Sequence, residues 1–299
     1  MGFPGLELIQ SQGMLAGITA PDVQSDSVRF LRQLAERARV PFLAVDKKSR
    51  GEKLGAWLTD LGADALFVVS FPWKIPTSVL TVPTLGCYNF HPGAVPDYRG
   101  IEPIFWSIRN GESRTAVSVL RMDSGFDTGD VMLSVELPIL GNDTYGLLLN
   151  KLSVTARNAM EAMLSKLRAN TAPDGIPQPS NQSLKRMRPN APALTVDWQT
   201  QTAEQIRNLV RAANPAFGGA IVNLRGIPFR FLEVSVIQQP SESGVLPGTV
   251  LGVDPVHGLT VACLNGMLQT DIVSSQEGVF RGSTFAALYG IGRGELFSS

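Results

Sequence analysis

Histidine is scarce in this chain, with two residues in 299, and so is cysteine, with Cys87 and Cys263. The two histidines lie far apart, and the two cysteines make no metal-ligand spacing. The two cysteines lie too far apart in sequence to suggest a disulfide framework and read as buried free thiols of a reducing compartment. An excess of either charge is also missing. Lys plus Arg is 26 and Asp plus Glu is 26, so no global field steers a polyanionic partner toward the protein. No apolar run reaches the roughly 18 residues of a membrane span. The opening "MGFPGLELIQSQG" lacks a basic region followed by an apolar one, so it is not a signal peptide, and the cytoplasm is the expected location. No G-x-S-x-G elbow and no G-x-x-x-x-G-K-[ST] phosphate loop occurs. What remains, 44% hydrophobic and 17% charged residues, is the composition of a globular protein with a real core.

The first half alternates apolar runs with helical spacing. "MLAGITA", "PFLAV", "DALFVVSF", "GCYNFH", "TAVSVLRM" and "VMLSVEL" read as strands. "SVRFLRQLAERA", "GEKLGAWLTDLG" and a long stretch over about 143–168 read as helices. That alternation predicts an α/β domain with an open, mostly parallel sheet over residues 1–168. Residues 169–193, rich in Pro, Asn, Ser and Gln without a period, read as a linker. Residues 194–299 hold one helix, N-capped by Thr202, and then short strands between Gly-containing turns, which predicts a small β-barrel. One of those turns, "LNGM", carries an Asn-Gly pair that favours a type I′ hairpin. The opening "MGFPG" resembles the turn that follows a first central strand, and the expectation is that such a strand belongs upstream of it.

One of the two histidines ends an apolar run, in "CYNFHPGAVPDYRG". Asn89 and His91 are two apart on a strand and therefore face the same way. They stand at its carboxyl end, where open α/β sheets hold ligands. Downstream, "MDSGFDTGD" places three aspartates and two glycines in nine residues between two strands. Taken singly, a histidine reads as a packed residue and an aspartate-rich loop as a solvated turn.

Together, N-x-H-P, P-D-Y-R-G and "TAVSVLRMDSGFDTGD" resemble the folate-dependent formyltransferases, whose branches act on methionyl-tRNA and on sugar amines such as aminoarabinose. The C-terminal stretches "RNLVRAANPAFGGAIVNLRG" and "GSTFAALYGIGRGELF" resemble the family's second domain, so the likeness covers nearly the whole chain. It implies a Rossmann-like formyltransferase domain followed by an OB-like barrel. It also implies 10-formyltetrahydrofolate as co-substrate, no metal, and a catalytic Asn89, His91 and Asp127. The 36 positions from His91 to Asp127 agree with the family spacing. In that mechanism Asn89 holds the developing oxyanion, and Asp127 orients His91 and takes the proton of the attacking amine. The folate ring is expected beside Phe71, Trp73, Ile75, Met122, Asp123 and Gly125. The chain departs from the family at Gly93, where a serine is usual.

The acceptor is less legible. The tRNA-acting branch carries a basic insertion after its second strand. Here the matching "PDVQSD" has two aspartates and no basic residue, and residues 181–299 hold nine Lys or Arg against eight Asp or Glu. The expected acceptor is therefore a small amine such as an amino sugar or a hydroxylated ornithine. Methionyl-tRNA is the alternative, kept open by Lys185, Arg186 and Arg188. Two readings of other classes are a formyltetrahydrofolate hydrolase and a non-catalytic folate-binding relic.

Overall fold

The computed structural model describes residues 1–169, 174–179, 186–239 and 244–298. The chain forms two compact units. The first contains residues 1–101, 114–138 and 149–186; the second contains 102–113, 139–148 and 187–299.

In chain order the elements begin α1 (Phe3–Ser11), β1 (Ile18–Pro21), α2 (Asp26–Ala38), β2 (Phe42–Val45), α3 (Arg50–Asp60), β3 (Ala65–Val68), α4 (Thr77–Leu80) and β4 (Gly86–His91). They continue with α5 (Pro103–Arg109), β5 (Arg114–Arg121), β6 (Val131–Pro138) and α6 (Tyr145–Arg168). Local chemistry accounts for the boundaries. Ser25 accepts a hydrogen bond from the Val28 N–H at the start of α2, and Arg39 turns left-handed at its end. The 64–71 run, read as one continuous strand, forms only the four-residue β3, because Ser70 already has φ 54°.

β1 pairs parallel with β2, and β3 parallel with β4, while β4, β5 and β6 continue antiparallel. The parallel pairs are joined through α2 and α4, as the alternation predicts, whereas α5 connects the antiparallel β4 and β5. β1 and β3 therefore each keep an edge without a strand partner among the described residues. One apolar cluster joins the two sheets: Leu54 and Leu58 of α3 pack with Leu66 and Val68 of β3, and Leu43 of β2 packs against the same group. Thr19 Oγ1, on β1, is buried without a hydrogen-bond partner. Burial also lowers the pKa of the Met1 amino group, and a Cβ on Gly2 would stand 3.3 Å from Val69. The chain start thus lies against the end of β3.

The second unit is led by α7 (Ala191–Leu194) and α8 (Ala203–Ala213). Thr202 and Gln205 close a reciprocal capping box at the α8 start. β7 (Ala220–Leu224), β8 (Ile227–Ile237), β9 (Val250–Asp254), β10 (Gly258–Ala262), β11 (Met267–Ser275), β12 (Gly278–Arg281), α9 (Gly282–Leu288) and β13 (Phe297–Ser298) complete it. The strands form an antiparallel seven-stranded sheet in the order β13-β7-β8-β11-β10-β9, with β12 on β11, the OB-like barrel domain of the sequence reading. Trp198, Phe231, Phe285 and Phe297 are fully buried. The β10–β11 hairpin differs from its expected type. Of the Asn265–Gly266 pair only Gly266 has positive φ, whereas a type I′ turn needs both, and four residues separate Ala262 from its partner Met267. No helix among the described residues is long and apolar enough to cross a membrane.

Two outcomes follow from this packing. Burial raises both cysteine thiols to about 12. The unfolded chain then loses these protons first as pH rises from about 9, so stability should fall between about pH 9 and 12. Chemical denaturation across that range checks the fall, and slow reaction of the native thiols with a disulfide reagent checks their burial. Second, fusing an apolar, β-branched five- or six-residue segment ahead of Met1 should raise the thermal midpoint by pairing the open edges of β1 and β3. Equal midpoints with and without the segment would show that these edges take no strand.

Candidate active site

Asn89 and His91 occupy the last turns of pleat in β4, on one face as their spacing requires. His91 is buried. Its Nε2 lies 2.7 Å from the Tyr98 carbonyl oxygen, which can only accept, so Nε2 carries the hydrogen. That leaves Nδ1 on the side of Asp127, 3.6 Å from Oδ2. This separation is longer than a hydrogen bond. The ring is therefore oriented by Tyr98, not by Asp127 as the sequence reading had it.

Asp127 lies in the loop between β5 and β6. The Arg121 N–H closes this loop on the Asp130 carbonyl, and the Met122 N–H ties it to the Cys87 carbonyl of β4. The Asp127 carboxylate accepts from Asn89 Nδ2 at 2.8 Å and from the Gly100 N–H at 3.0 Å. Asp127 itself has φ 54°. For a residue with a Cβ that region costs about 1–2 kcal/mol, so the surrounding bonds must hold it there. Gly129 is required for a different reason: a Cβ there would fall 1.8 Å from the Arg121 carbonyl oxygen. The Asp123 carboxylate accepts from the Gly125 N–H and the Thr128 hydroxyl, which folds the loop on itself.

The loop after His91 is held from below. Ser118 of β5 donates its hydroxyl to the Gly93 carbonyl at 2.8 Å, a bond made where the family's usual serine side chain is absent. Tyr98 and Arg99 of this loop are buried. Gly100, with φ 94°, lets the Arg186 backbone approach; a Cβ would meet its carbonyl oxygen at 2.7 Å. Arg186 in turn lies with its guanidinium 5.2 Å from the Tyr98 ring centre.

A cavity of about 510 Å³ opens beside these residues. Asn89 and Asp127 line it, and so do all six residues expected beside the folate ring: Phe71, Trp73, Ile75, Met122, Asp123 and Gly125. His91 is behind Asp127 and not part of the lining. Ile75 is also a core residue of the α3 cluster, and Phe71 packs edge-on against Trp73 with ring centres 5.6 Å apart. The Asp123 carboxylate is committed to its own loop. Val68, Lys74, Leu120, Arg121, Phe126, Thr128 and Gly129 complete the lining, unanticipated from sequence although several are neighbours of the expected residues. Apolar walls on one side and a polar, glycine-containing loop on the other suit a flat heterocycle with hydrogen-bonding edges. Among the described residues no group of three or more His, Cys, Asp or Glu is placed to hold a metal ion. Lys185 lies outside the described residues.

The chain is similar to known proteins in sequence and in fold. The "Formyl transferase" family model matches residues 17–164, and "Formyl transferase, C-terminal domain" matches residues 193–282. Methionyl-tRNA formyltransferase of Stenotrophomonas maltophilia (strain K279a) is 34% identical over 221 residues, 74% of this chain and 70% of the relative. The crystal structure of WlaRD, a sugar 3N-formyl transferase, with dTDP and 5-N-formyl-THF superposes with a TM-score of 0.65 at 15% identity, covering 89% of this chain and 92% of that one. HypX from Aquifex aeolicus in complex with tetrahydrofolic acid gives a TM-score of 0.61 at 17% identity, covering 91% of this chain. The chain spans about half the length of HypX, 47%. At those two identities the likeness is one of fold.

Proposed function

The chain belongs to the formyl transferase family, and from that premise we propose that it moves a formyl group from 10-formyltetrahydrofolate to the amino group of methionyl-tRNA, with Asn89, His91 and Asp127 as the reacting side chains. The observation that carries the chemistry is the Asn89–Asp127–His91 cluster on the rim of the 510 Å³ cavity. The relative named methionyl-tRNA formyltransferase, at about one-third identity, favours tRNA over the small amine expected from sequence. The small amine stays as a second reading on one observation: the connection from β1 to α2 is only Asp22–Ser25, with an aspartate and no basic residue.

The formyl carbon of the donor is the electrophile that the bound folate supplies. Phe71, Trp73, Val68 and Leu120 would hold its ring system, and Met122 to Gly129 would meet its polar edge. Asn89 Nδ2 has two hydrogens, and its bond to Asp127 Oδ1 uses one of them. The second is available to the formyl oxygen as negative charge gathers there during attack by the amine. A single donor of that kind contributes about 2.7–4 kcal/mol. The bond to Asp127 fixes the amide, so little reorganisation accompanies the charge. Asp127 receives the proton that the amine sheds and, as the bond from the formyl carbon to N10 of the folate breaks, passes it to that nitrogen so that tetrahydrofolate leaves neutral; His91 Nδ1, at 3.6 Å, is placed to relay it. Such proton transfer contributes roughly 10²–10⁴-fold.

Asn89→Ala, His91→Ala and Asp127→Ala should each lower turnover by at least about a hundredfold with small changes in thermal midpoint. Full activity in His91→Ala would remove it from the mechanism.

The acceptor is tested by incubating the protein with 10-formyltetrahydrofolate and either methionyl-tRNA or a panel of amino sugars and hydroxylated ornithine. The expected product is formylmethionyl-tRNA, with affinity falling at roughly 0.7–0.9 logarithmic units per contacted phosphate for each tenfold rise in salt. Formylation of a small amine with a shallow salt dependence would establish the second reading. Arg186 should be left intact in such work, because its backbone and side chain support Gly100 and Tyr98. Lys185 and Arg188 are the residues to replace.

A further inference from the structure

We propose that Gln178, within the segment that reads from sequence as a linker, is a positioning residue for the reaction because it holds Asp127 in its working conformation. The inference rests on the reading of Asp127 as a reacting group. Every residue involved belongs to the first unit.

The segment around Gln178 is seated by its own backbone. Ile176 and Val131 exchange two hydrogen bonds, of 2.9 and 3.0 Å, at the start of β6. Gly175 permits this approach, since a Cβ there would lie 2.4 Å from the Asp130 Cβ. Gln178 is thereby brought over the loop that carries Asp127. Its Nε2 donates to the Asp127 carbonyl at 3.0 Å and to the Gly129 carbonyl at 2.6 Å. The two hydrogens of one amide thus clamp the carbonyls on either side of Thr128. This is the stretch in which Asp127 takes its left-handed backbone conformation.

The other end of the same amide reaches the opposite wall. Gln178 Oε1 accepts from Arg99 Nε at 2.8 Å, and Arg99 Nη2 donates to the Pro179 carbonyl at 3.2 Å. Arg99 is buried, and it stands between Tyr98, which binds His91, and Gly100, whose N–H binds Asp127. The orientation of the amide follows from these neighbours: two carbonyls can only accept and a guanidinium can only donate. One side chain therefore ties together both loops that meet at the reacting carboxylate. An aliphatic side chain could fill the space but would leave the two carbonyls unclamped and a buried arginine short of an acceptor.

The test uses the full chain with Gln178→Ala, Gln178→Glu, Asp127→Ala and the double variant Gln178→Ala/Asp127→Ala, assayed with 10-formyltetrahydrofolate and whichever acceptor the assay above formylates. Binding of tetrahydrofolate and thermal midpoints are measured alongside. Gln178→Glu keeps an acceptor for Arg99 and removes the donor to the carbonyls, so it separates the two contacts and serves if the alanine variant fails to fold. The expected result is a fall in kcat of about tenfold or more in both single variants, with KM and tetrahydrofolate affinity changed by less than about threefold. On the Asp127→Ala background the added loss should vanish, because the residue being positioned is gone. Wild-type kcat in Gln178→Glu, or an undiminished loss on the Asp127→Ala background, would overturn the proposal and leave Gln178 with a structural role alone. Full activity in Asp127→Ala would instead overturn the reading of the site itself, and this inference with it.

Discussion

The Asp127 carboxylate is the contact around which the first unit is organised. It accepts from Asn89, at the end of β4, and from the backbone of Gly100, and it faces the His91 ring. The end of β4, the loop that follows it, and Asp127's own loop, 38 positions beyond Asn89 and 27 beyond Gly100, meet at these two oxygen atoms. Each needs its own support: Tyr98 for the imidazole, Ser118 for the loop after it, and Gln178 for the aspartate's backbone. The local geometry is unfavourable for a residue with a side chain, so it persists through those surrounding bonds and not through the loop's own preferences.

This arrangement gives the formyl-transferring chemistry of the family a physical form. In the proposed mechanism the amide of Asn89 is fixed by the same carboxylate that would take the proton, so the group that would stabilise charge and the group that would remove it are held at a set distance. The histidine ring is held by a carbonyl on its far nitrogen, which leaves the near one to Asp127. The apolar cavity begins where these polar groups end, bounded by side chains that also belong to the α3 core. Binding surface and folding core are shared there, which couples the position of a bound ring to the packing of the domain.

The proposed acceptor rests on different ground from the chemistry. A neutral total charge and a short connection after β1 are statements about long-range attraction, and they pointed to a small amine. Likeness to a methionyl-tRNA formyltransferase over most of the chain is a statement about the whole surface, and it points to tRNA. Charge counts average over the molecule, whereas recognition of a polyanion needs only a local arrangement of cations. The KRMR stretch illustrates the difference. It counts as three positive charges in sequence, yet Arg186 is engaged with Tyr98 and Gly100.

The sequence by itself did not mark α4, α5, α7 or α9, so residues 194–299 hold a second helix beyond the one expected. It did mark the strands of the first half, α2, α3, α6 and α8, the change of composition after residue 168, and the shared face of Asn89 and His91. These rest on periods of 2 and 3.6 residues and on capping chemistry, which are local. Through the family resemblance it also pointed to six of the fifteen residues that line the cavity. It did not determine that β3 would stop after four residues, that the hairpin at Gly266 would avoid the type I′ form, or that Asp123 would close its own loop. Nor did it mark Tyr98, Ser118 or Gln178. Their roles are hydrogen bonds to backbone carbonyls across 7, 25 and about 50 positions of sequence. A carbonyl is the same group in every residue and leaves no signature in the chain. Only the tertiary structure, by deciding which carbonyls are buried and which side chains reach them, could assign those partners.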